Sequence, residues 1–550
     1  MTPEVSRRAL LLGSAGVAGG TALVGCSAPE TSTEDLPVRI HANDATTFQP
    51  SFNPYAAGSL QGPHGLIYET LQLSSPMDAE NPVPWLATEV AWNEDGTVLT
   101  VHLRDDVRWT DGEVLDAEDV VFTYEMIRDN PATNGLALAV AGATALDATT
   151  VEISFSTPTF VQQADVCSRP IVPEHVFSTF DPGAEQIAEP MGSGPYRLER
   201  FSDQLYTFVR NDEHWAAEEF EPRRLAFPSF TTQTMNTALQ AGELDWSGGF
   251  ISNIDKVFVG HDPEHRGYWY PGAGVVNLTL NLERELWQDL DLRRAISLAV
   301  DRLEIAEVAY MNYFGPPHPT GLPRPTFEEY IAEEFQDLEF AVDLDEANRL
   351  LDAAGYEAGE DGIRVAPDGT PLSFPLQIPS TYNDWVTVAQ ILGTQLRRIG
   401  VELTPRGISF ENWVEAHRSG NYDVTITTAA AGQNPWYLYR ALLSSEYRSD
   451  DGEPVTANFQ RWYDEESDEL LSEYSTTEDP EVQREALAGL QHLMVERLPV
   501  LPIVIAPNWF NYNTADWTGF PSAEDPYALG SPVEAGSRVM ILHRLTRTGS

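Results

Sequence analysis

Eighty-four Asp and Glu residues stand against thirty-three Lys and Arg, a formal charge of −51, and that imbalance sets the first limit on any compact state. Like charges spread over one surface repel and favour expansion. Only one of the basic residues is a lysine, Lys256. The acids are spread along the whole chain rather than gathered in one patch, which points to a saline exterior rather than to a cationic partner. At molar salt the screening length falls to about 3 Å and the repulsion largely disappears. A surface of this sign excludes nucleic acid, because phosphate neutralisation needs a basic stripe.

The N-terminus agrees with an exterior location. Ser6-Arg7-Arg8 precedes an apolar, Gly-rich run from Ala9 to Val24, which ends in Leu23-Val24-Gly25-Cys26. A positive start, a short apolar stretch and small residues before a cleavage point form a secretory signal. The paired arginines suit the twin-arginine route, and Leu-Val-Gly-Cys resembles a lipobox whose Cys26 is lipidated. Residues 1–26 are thus read as a twin-arginine lipoprotein signal. Residues 27–37, made of Ser, Thr, Pro, Glu and Asp with almost nothing apolar, are read as a disordered tether. No later run reaches the eighteen apolar residues that a span needs. Beyond the anchor, Cys167 stands alone, so no intramolecular disulfide is available, and it is expected to be a small buried hydrophobe.

The rest of the chain is too long for one core, so two or three domains are expected. Val98–Leu103 alternates as a strand, after an Asn93-Glu94-Asp95-Gly96 hairpin turn. Asp116 caps a helix that ends near Pro131. Asp291 is placed as the cap of a helix whose apolar stripe is Leu292, Ala295, Ile296, Ala299 and Val300. Further helices are expected at 345–355 and 385–400, and from Asp479-Pro480 to before Pro499. Strands are expected at 401–404 and 500–505. This alternation after about residue 277 reads as an α/β lobe.

Longer patterns carry a resemblance. They include Asn81-Pro82-Val83-Pro84-Trp85-Leu86-Ala87, then Leu103-Arg104-Asp105-Asp106-Val107-Arg108-Trp109-Thr110-Asp111-Gly112, then Ala117-Glu118-Asp119-Val120-Val121-Phe122. Phe52-Asn53-Pro54, Tyr68-Glu69-Thr70-Leu71, Gly192-Ser193-Gly194-Pro195-Tyr196, Ala241-Gly242-Glu243-Leu244-Asp245 and Tyr422-Asp423-Val424 are in matching order. Together they resemble the family 5 extracellular solute-binding proteins of ABC importers, the oligopeptide, dipeptide and nickel-binding group. The resemblance implies an α/β fold of the periplasmic-binding-protein type II, with two lobes, a hinge and an extra domain on the first lobe. It places lobe I at 38–54, 185–276 and 500–545, the extra domain II at 55–184, and lobe III at 277–499. The hinge crossings are expected near Val276-Asn277-Leu278 and near Pro499-Val500-Leu501. It also implies capture of a small-molecule or oligomeric solute, delivery to ABC permease subunits, a monomer, and membrane contact through the lipid anchor on the extracellular face of the cell membrane.

In the oligopeptide members, the loop after the Tyr-Asp-Val strand holds an Asp that pairs with the peptide amine. Here that loop reads Ala429-Ala430-Ala431-Gly432-Gln433-Asn434-Pro435-Trp436-Tyr437, without an acid. Amides donate and accept as sugar hydroxyls require, and flat rings cover pyranose faces. Phe52-Asn53-Pro54-Tyr55 followed by Gly65-Leu66-Ile67-Tyr68-Glu69 also resembles the β-glucoside and cello-oligosaccharide members. An oligosaccharide is therefore favoured, with an oligopeptide or dipeptide as the alternative. The candidate ligand-binding residues are Tyr55, Ser59, Trp246, Trp413, Gln433, Asn434, Trp436, Tyr437, Asn508 and Trp509. No catalytic residue, cofactor or metal is expected. There is no Gly-x-Ser-x-Gly elbow and no His-Glu-x-x-His, and the proline between His261 and His265 breaks the helix that would set a metal-ligand spacing. A secreted glycoside hydrolase is the competing class. The charge carries a first prediction. The chain from residue 27 onward has a melting temperature that falls as salt is reduced from molar to millimolar, measured by circular dichroism. A melt independent of salt contradicts the saline reading.

Overall fold

The computed structural model describes residues 36–549, apart from 44, 57, 80, 137 and 449–453. The export signal, Cys26 and all but the last two residues of the tether lie outside the described residues. Three larger sheets organise the chain. A seven-stranded sheet runs in the order Arg266–Tyr268, Asn511–Asn513, Trp246–Ser247, Val38–His41, Arg224–Pro228, Leu205–Arg210 and Tyr196–Phe201. Its centre is parallel, Val38–His41 pairing with both 224–228 and 246–247. A four-stranded antiparallel sheet is built from Ala87–Trp92, Val98–Leu103, Thr150–Phe155 and Val140–Asp147. A five-stranded mixed sheet has the order Glu402–Ile408, Ser373–Pro379, Val424–Ala430, Gly272–Leu280 and Leu501–Pro507.

Local chemistry explains the elements. Val98–Leu103 buries Leu99, Val101 and Leu103 and turns the intervening residues outward, as its period of two requires. Asp116 caps the helix Ala117–Asp129 in a reciprocal box with Asp119. The helix Leu290–Ala299 buries Leu292, Ala295, Ile296 and Ala299 of the expected stripe, while Val300 is buried just past its end, as the extended C-cap. Its N-cap is Asp289 rather than Asp291: the Asp289 carboxylate accepts from the N–H groups of Asp291 at 2.9 Å and Leu292 at 3.4 Å. The helix therefore starts one residue before the expected cap. Asp479 caps Pro480–Arg497 as its Asp-Pro start suggests.

The first core joins the seven-stranded and four-stranded sheets through Val38, Ile40, Leu99, Val101, Tyr206, Phe208 and Trp246. The second gathers the five-stranded sheet and its helices around Leu278, Ile296, Leu376, Leu392 and Ile426. A third, around Val275, Trp436, Tyr439, Leu490 and Met494, packs the helices at 435–443 and 480–497 under the same sheet.

Gly272–Leu280 and Leu501–Pro507 pair with each other inside the five-stranded sheet. The chain thus passes between the two large sheets at 269–271 and 508–510, between the strand ends. This differs from crossings at 276–278 and 499–501. A boundary drawn where alternation begins cuts a strand that pairing keeps whole. The two passing segments are joined by Trp269 N–H to Phe510 O at 3.0 Å and Asn508 N–H to Pro271 O at 2.7 Å.

The Gly192-Ser193-Gly194 loop runs against the backbone at 66–67. Gly194 N–H donates to Ile67 O and Tyr196 N–H to Leu66 O. A Cβ on Gly192 would sit 1.9 Å from Ile67 O, and one on Gly194 would sit 2.3 Å from Leu66 O. Backbone cannot retreat as a side-chain tip can. Gly192→Ala is expected to cost about 3 kcal/mol or more, while Gly315→Ala, in open space, changes stability by less than about 0.5 kcal/mol. Chemical denaturation of both variants checks the contrast.

Candidate functional site

Two adjoining cavities, of about 440 and 460 Å³, lie where the loop after Val424–Ala430 faces the segment 160–170. Both are lined by Gln72, Ser74 and Gln433.

The loop is shaped by two residues. Gly432 has φ +69°, and a Cβ there would meet Tyr437 Cβ at 2.4 Å, so only glycine makes this turn without strain. Asn434 then caps the helix Pro435–Leu443, accepting from Trp436 N–H at 3.1 Å. The cap leaves its Nδ2 free to donate to Val161 O at 3.3 Å on the opposite wall. One turn on, the Tyr437 hydroxyl donates to Asp165 Oδ2 at 2.7 Å. The Gln433 Oε1 is buried with no hydrogen-bond partner among the described residues.

The opposite wall is the helix Gln163–Cys167 and its flanks. Gln163 is fixed between Trp92, whose Nε1–H donates to its Oε1 at 2.9 Å, and Gln72, which accepts from its Nε2 at 3.2 Å. Arg169 donates from Nε to the Asp165 carbonyl oxygen at 3.1 Å and from a terminal nitrogen to Ser168 Oγ at 3.3 Å. Cys167 is buried beneath, and burial pushes its thiol up to about 12. It is inert packing, as a lone apolar-flanked cysteine should be.

The first cavity holds most of the charge. Asp165, Arg169, His64 and Glu534 line it with Tyr55, Thr70, Thr133 and Ser168. Desolvation is the largest influence on Asp165, Glu534 and His64. It raises the carboxyl of Asp165 against the Tyr437 hydrogen bond and the Arg169 and Arg440 charges, and raises that of Glu534 against Arg538. It drives the His64 imidazole down to about 3, helped by the charges of Arg538 and Arg169, so the ring is neutral. The second cavity is lined mainly by uncharged groups: Gln163, Asn434, Gln483, Tyr330, Tyr474 and Phe160, with Glu478 as its one carboxylate among those residues.

The ten candidate residues divide. Tyr55 lines the first cavity and donates its hydroxyl to Pro170 O. Gln433 lines both and Asn434 the second, while Tyr437 reaches across to Asp165. The other six line neither. Ser59 donates to Leu60 O. Trp246 is fully buried against Phe510 and Phe520, its Nε1–H on Gly530 O. Trp413 packs on Trp385 and donates to Thr425 Oγ1. Trp436 donates to Leu471 O within the third core. Asn508 is buried and accepts from Ser531 N–H at 2.7 Å. Trp509 packs on Phe250, Tyr270 and Phe314 beside the passage between sheets. Sequence reasoning missed Asp165, Arg169, His64, Gln72, Gln163 and Glu534. An acid and a base one helical turn apart before Pro170 were the only signal for the first two. Among the described residues, no group of three or more His, Cys, Asp or Glu could hold a metal ion.

Residues 81–449 match the family model described as bacterial extracellular solute-binding proteins, family 5 Middle. Protein XP55 of Streptomyces lividans is 29% identical over 412 residues, 73% of this chain and 72% of that protein. A solved structure of the periplasmic oligopeptide-binding protein of an oligopeptide ABC transporter from Thermotoga maritima overlays with a TM-score of 0.84 at 23% identity. It covers 94% of this chain and 99% of that one. The mannohexaose-bound structure gives a TM-score of 0.76 at 24% identity, with the same coverage of 94% and 99%.

The raised Asp165 carboxyl yields a prediction about stability. A folded-state value above the unfolded one means that the buried carboxylate subtracts from stability once pH rises through the folded value. Asp165→Asn keeps the acceptor for Tyr437 and removes the charge. Without ligand, its melting temperature is expected to exceed that of the parent at pH 7. The two melts converge as pH falls toward the ordinary carboxylate range, in scanning calorimetry at fixed salt.

Proposed function

The chain belongs to the bacterial extracellular solute-binding proteins of family 5, the capture subunits of ABC importers, and we propose that its cleft takes an oligopeptide and passes it unchanged to a permease. The observation that carries this reading is the charge in the first cavity. Where the loop after Val424–Ala430 has no acid, Asp165 lines the cavity from the facing wall, with Arg169 one turn away. Of the candidate tryptophans, Trp246, Trp413 and Trp436 are buried and line neither cavity, which weakens the support for ring stacking on a sugar. A zwitterionic wall suits a ligand with charged ends, because buried charge needs a counter-charge.

A second reading, an oligosaccharide, is favoured by the amides Gln72, Gln163, Gln433, Asn434 and Gln483 around the second cavity. The mannohexaose bound by the Thermotoga maritima protein supports the same reading. On either reading, the lobes are the seven-stranded sheet with the four-stranded one, and the five-stranded sheet with its helices. They would close about the passages at 269–271 and 508–510, as two-lobed receptors do. Domain II is the insert at 55–184. Lipidation of Cys26, twin-arginine export, a monomeric state and a saline cell surface belong to the same proposal. They rest on the sequence patterns of residues 1–37 and on the charge.

A thermal-shift screen in molar salt decides between ligand classes. Ligand at 100 times its dissociation constant adds about 2.7 kcal/mol to stability. Peptides are expected to raise the melt of residues 27–550, and chromatography is expected to recover them uncut. A shift with cello- or manno-oligosaccharides alone selects the second reading. Steady release of cleaved product at catalytic turnover contradicts a receptor.

A further inference from the structure

We propose that the start of the helix Ala535–Arg544 is a binding site for a tetrahedral oxyanion of the phosphate or sulfate class. The site opens on the first cavity, and it holds whether the cleft takes a peptide or a sugar.

Ala535, Gly536 and Ser537 form the first turn of this ten-residue helix and line the first cavity. Their backbone N–H groups make no hydrogen bond among the described residues. The preceding residue, Glu534, gives no side-chain cap, and the first turn carries no acid. Unsatisfied N–H groups give a helix start about half a positive charge, which attracts anions. Two side chains add donors of their own. Ser537 is 2% exposed and Gln72 6% exposed, and both line the cavity. The Ser537 hydroxyl has no partner among the described residues. Gln72 accepts from Gln163 on its Oε1, and its Nε2 has no partner among the described residues. Donors so far from bulk water are costly unless something in the cavity answers them. The two elements meet closely: a Cβ on Gly536 would sit 2.9 Å from Ser74 O. A glycine there lets the segment 72–74 lie against the helix start.

The cations agree with this sign. Arg169 lines the same cavity and gives its Nε to the Asp165 carbonyl and one terminal nitrogen to Ser168. Its other terminal nitrogen has no partner among the described residues. Arg538, one turn into the helix, is fully buried and rests on three backbone carbonyls. It makes no ion pair among the described residues, so its charge is left for the cavity. Two carboxylates, Asp165 and Glu534, share that space, and desolvation raises both, against their charged forms. Donors therefore come from the helix start, from the strand Gln72–Leu73 and from the wall that carries Arg169. A tetrahedral oxyanion presents oxygens toward all three, whereas a carboxylate holds its two oxygens in one plane.

The test is calorimetric titration of residues 27–550 in molar sodium chloride with inorganic phosphate, glucose and glucose 6-phosphate. Inorganic phosphate is expected to bind saturably, at one site per chain. Ser537→Asp plants a carboxylate in the first turn and is expected to weaken phosphate ~10-fold or more, since like charges in one site repel. Ser537→Ala removes a donor without adding charge and is expected to weaken it by a smaller factor. If circular dichroism shows Ser537→Asp unfolded, the alanine variant carries the comparison. Binding of glucose 6-phosphate, without binding of glucose or of free phosphate, keeps the site and makes the anion part of a solute. No binding of free phosphate, with glucose 6-phosphate no better than glucose, overturns the site. Phosphate binding that both Ser537 variants leave unchanged overturns its placement at the helix start. Either failure leaves the peptide and sugar readings standing, because phosphate takes no part in the screen that decides between them.

Discussion

The two segments that connect the large sheets are bonded to each other, and the rest of the molecule depends on that pair. Trp269 and Asn508 donate across to Phe510 and Pro271, so two strands pass side by side from one sheet to the next. The walls at 160–170 and 430–437 are joined by the Tyr437 hydroxyl, which donates to Asp165. The aromatic cluster of Trp509, Tyr270, Phe250 and Phe314 packs beside the paired segments. It gives the passage between the sheets an apolar seat.

The cleft is costly to build. It places two carboxylates that burial pushes up, an imidazole that burial pushes down, and an unpartnered amide oxygen in one place. Unpaired polar atoms are not confined to it. The buried Glu69 meets His214 at 2.8 Å and Trp215 at 3.2 Å through one carboxylate oxygen and leaves the other without a partner. The buried Arg538 is held by the carbonyls of Pro532, Gln61 and His64 and leaves its Nε unpaired. What sets the cavity apart is several titratable groups displaced by burial in one place.

Much of the scaffold was legible in the sequence because it is written locally. Period-two burial at 98–103, the stripe at 292–300, the Asp-Pro start at 479–480 and the glycine loop at 192–194 each state their own geometry. The cap of the stripe helix moved from Asp291 to Asp289 because two aspartates two residues apart offer the same chemistry. What lay beyond reach was non-local. The sheet that holds Leu501–Pro507 is decided by pairing with a strand more than two hundred residues away. Trp246 joins the core through a carbonyl 284 residues away, which no window of sequence contains. The loop at 429–437 was singled out from sequence, and Gln433 and Asn434 line the cavities, whereas Asp165 lies on the facing wall, in a helix of five residues with no pattern of its own.

Cys167 sits under the wall that carries Asp165, fully buried and with a thiol held far from ionisation. This keeps the one cysteine among the described residues chemically silent. The silence lasts only while the short helix stays seated. Each unseating exposes a thiol that ionises more readily, so the rate at which a maleimide dye marks Cys167 becomes a clock for breathing of that cavity wall.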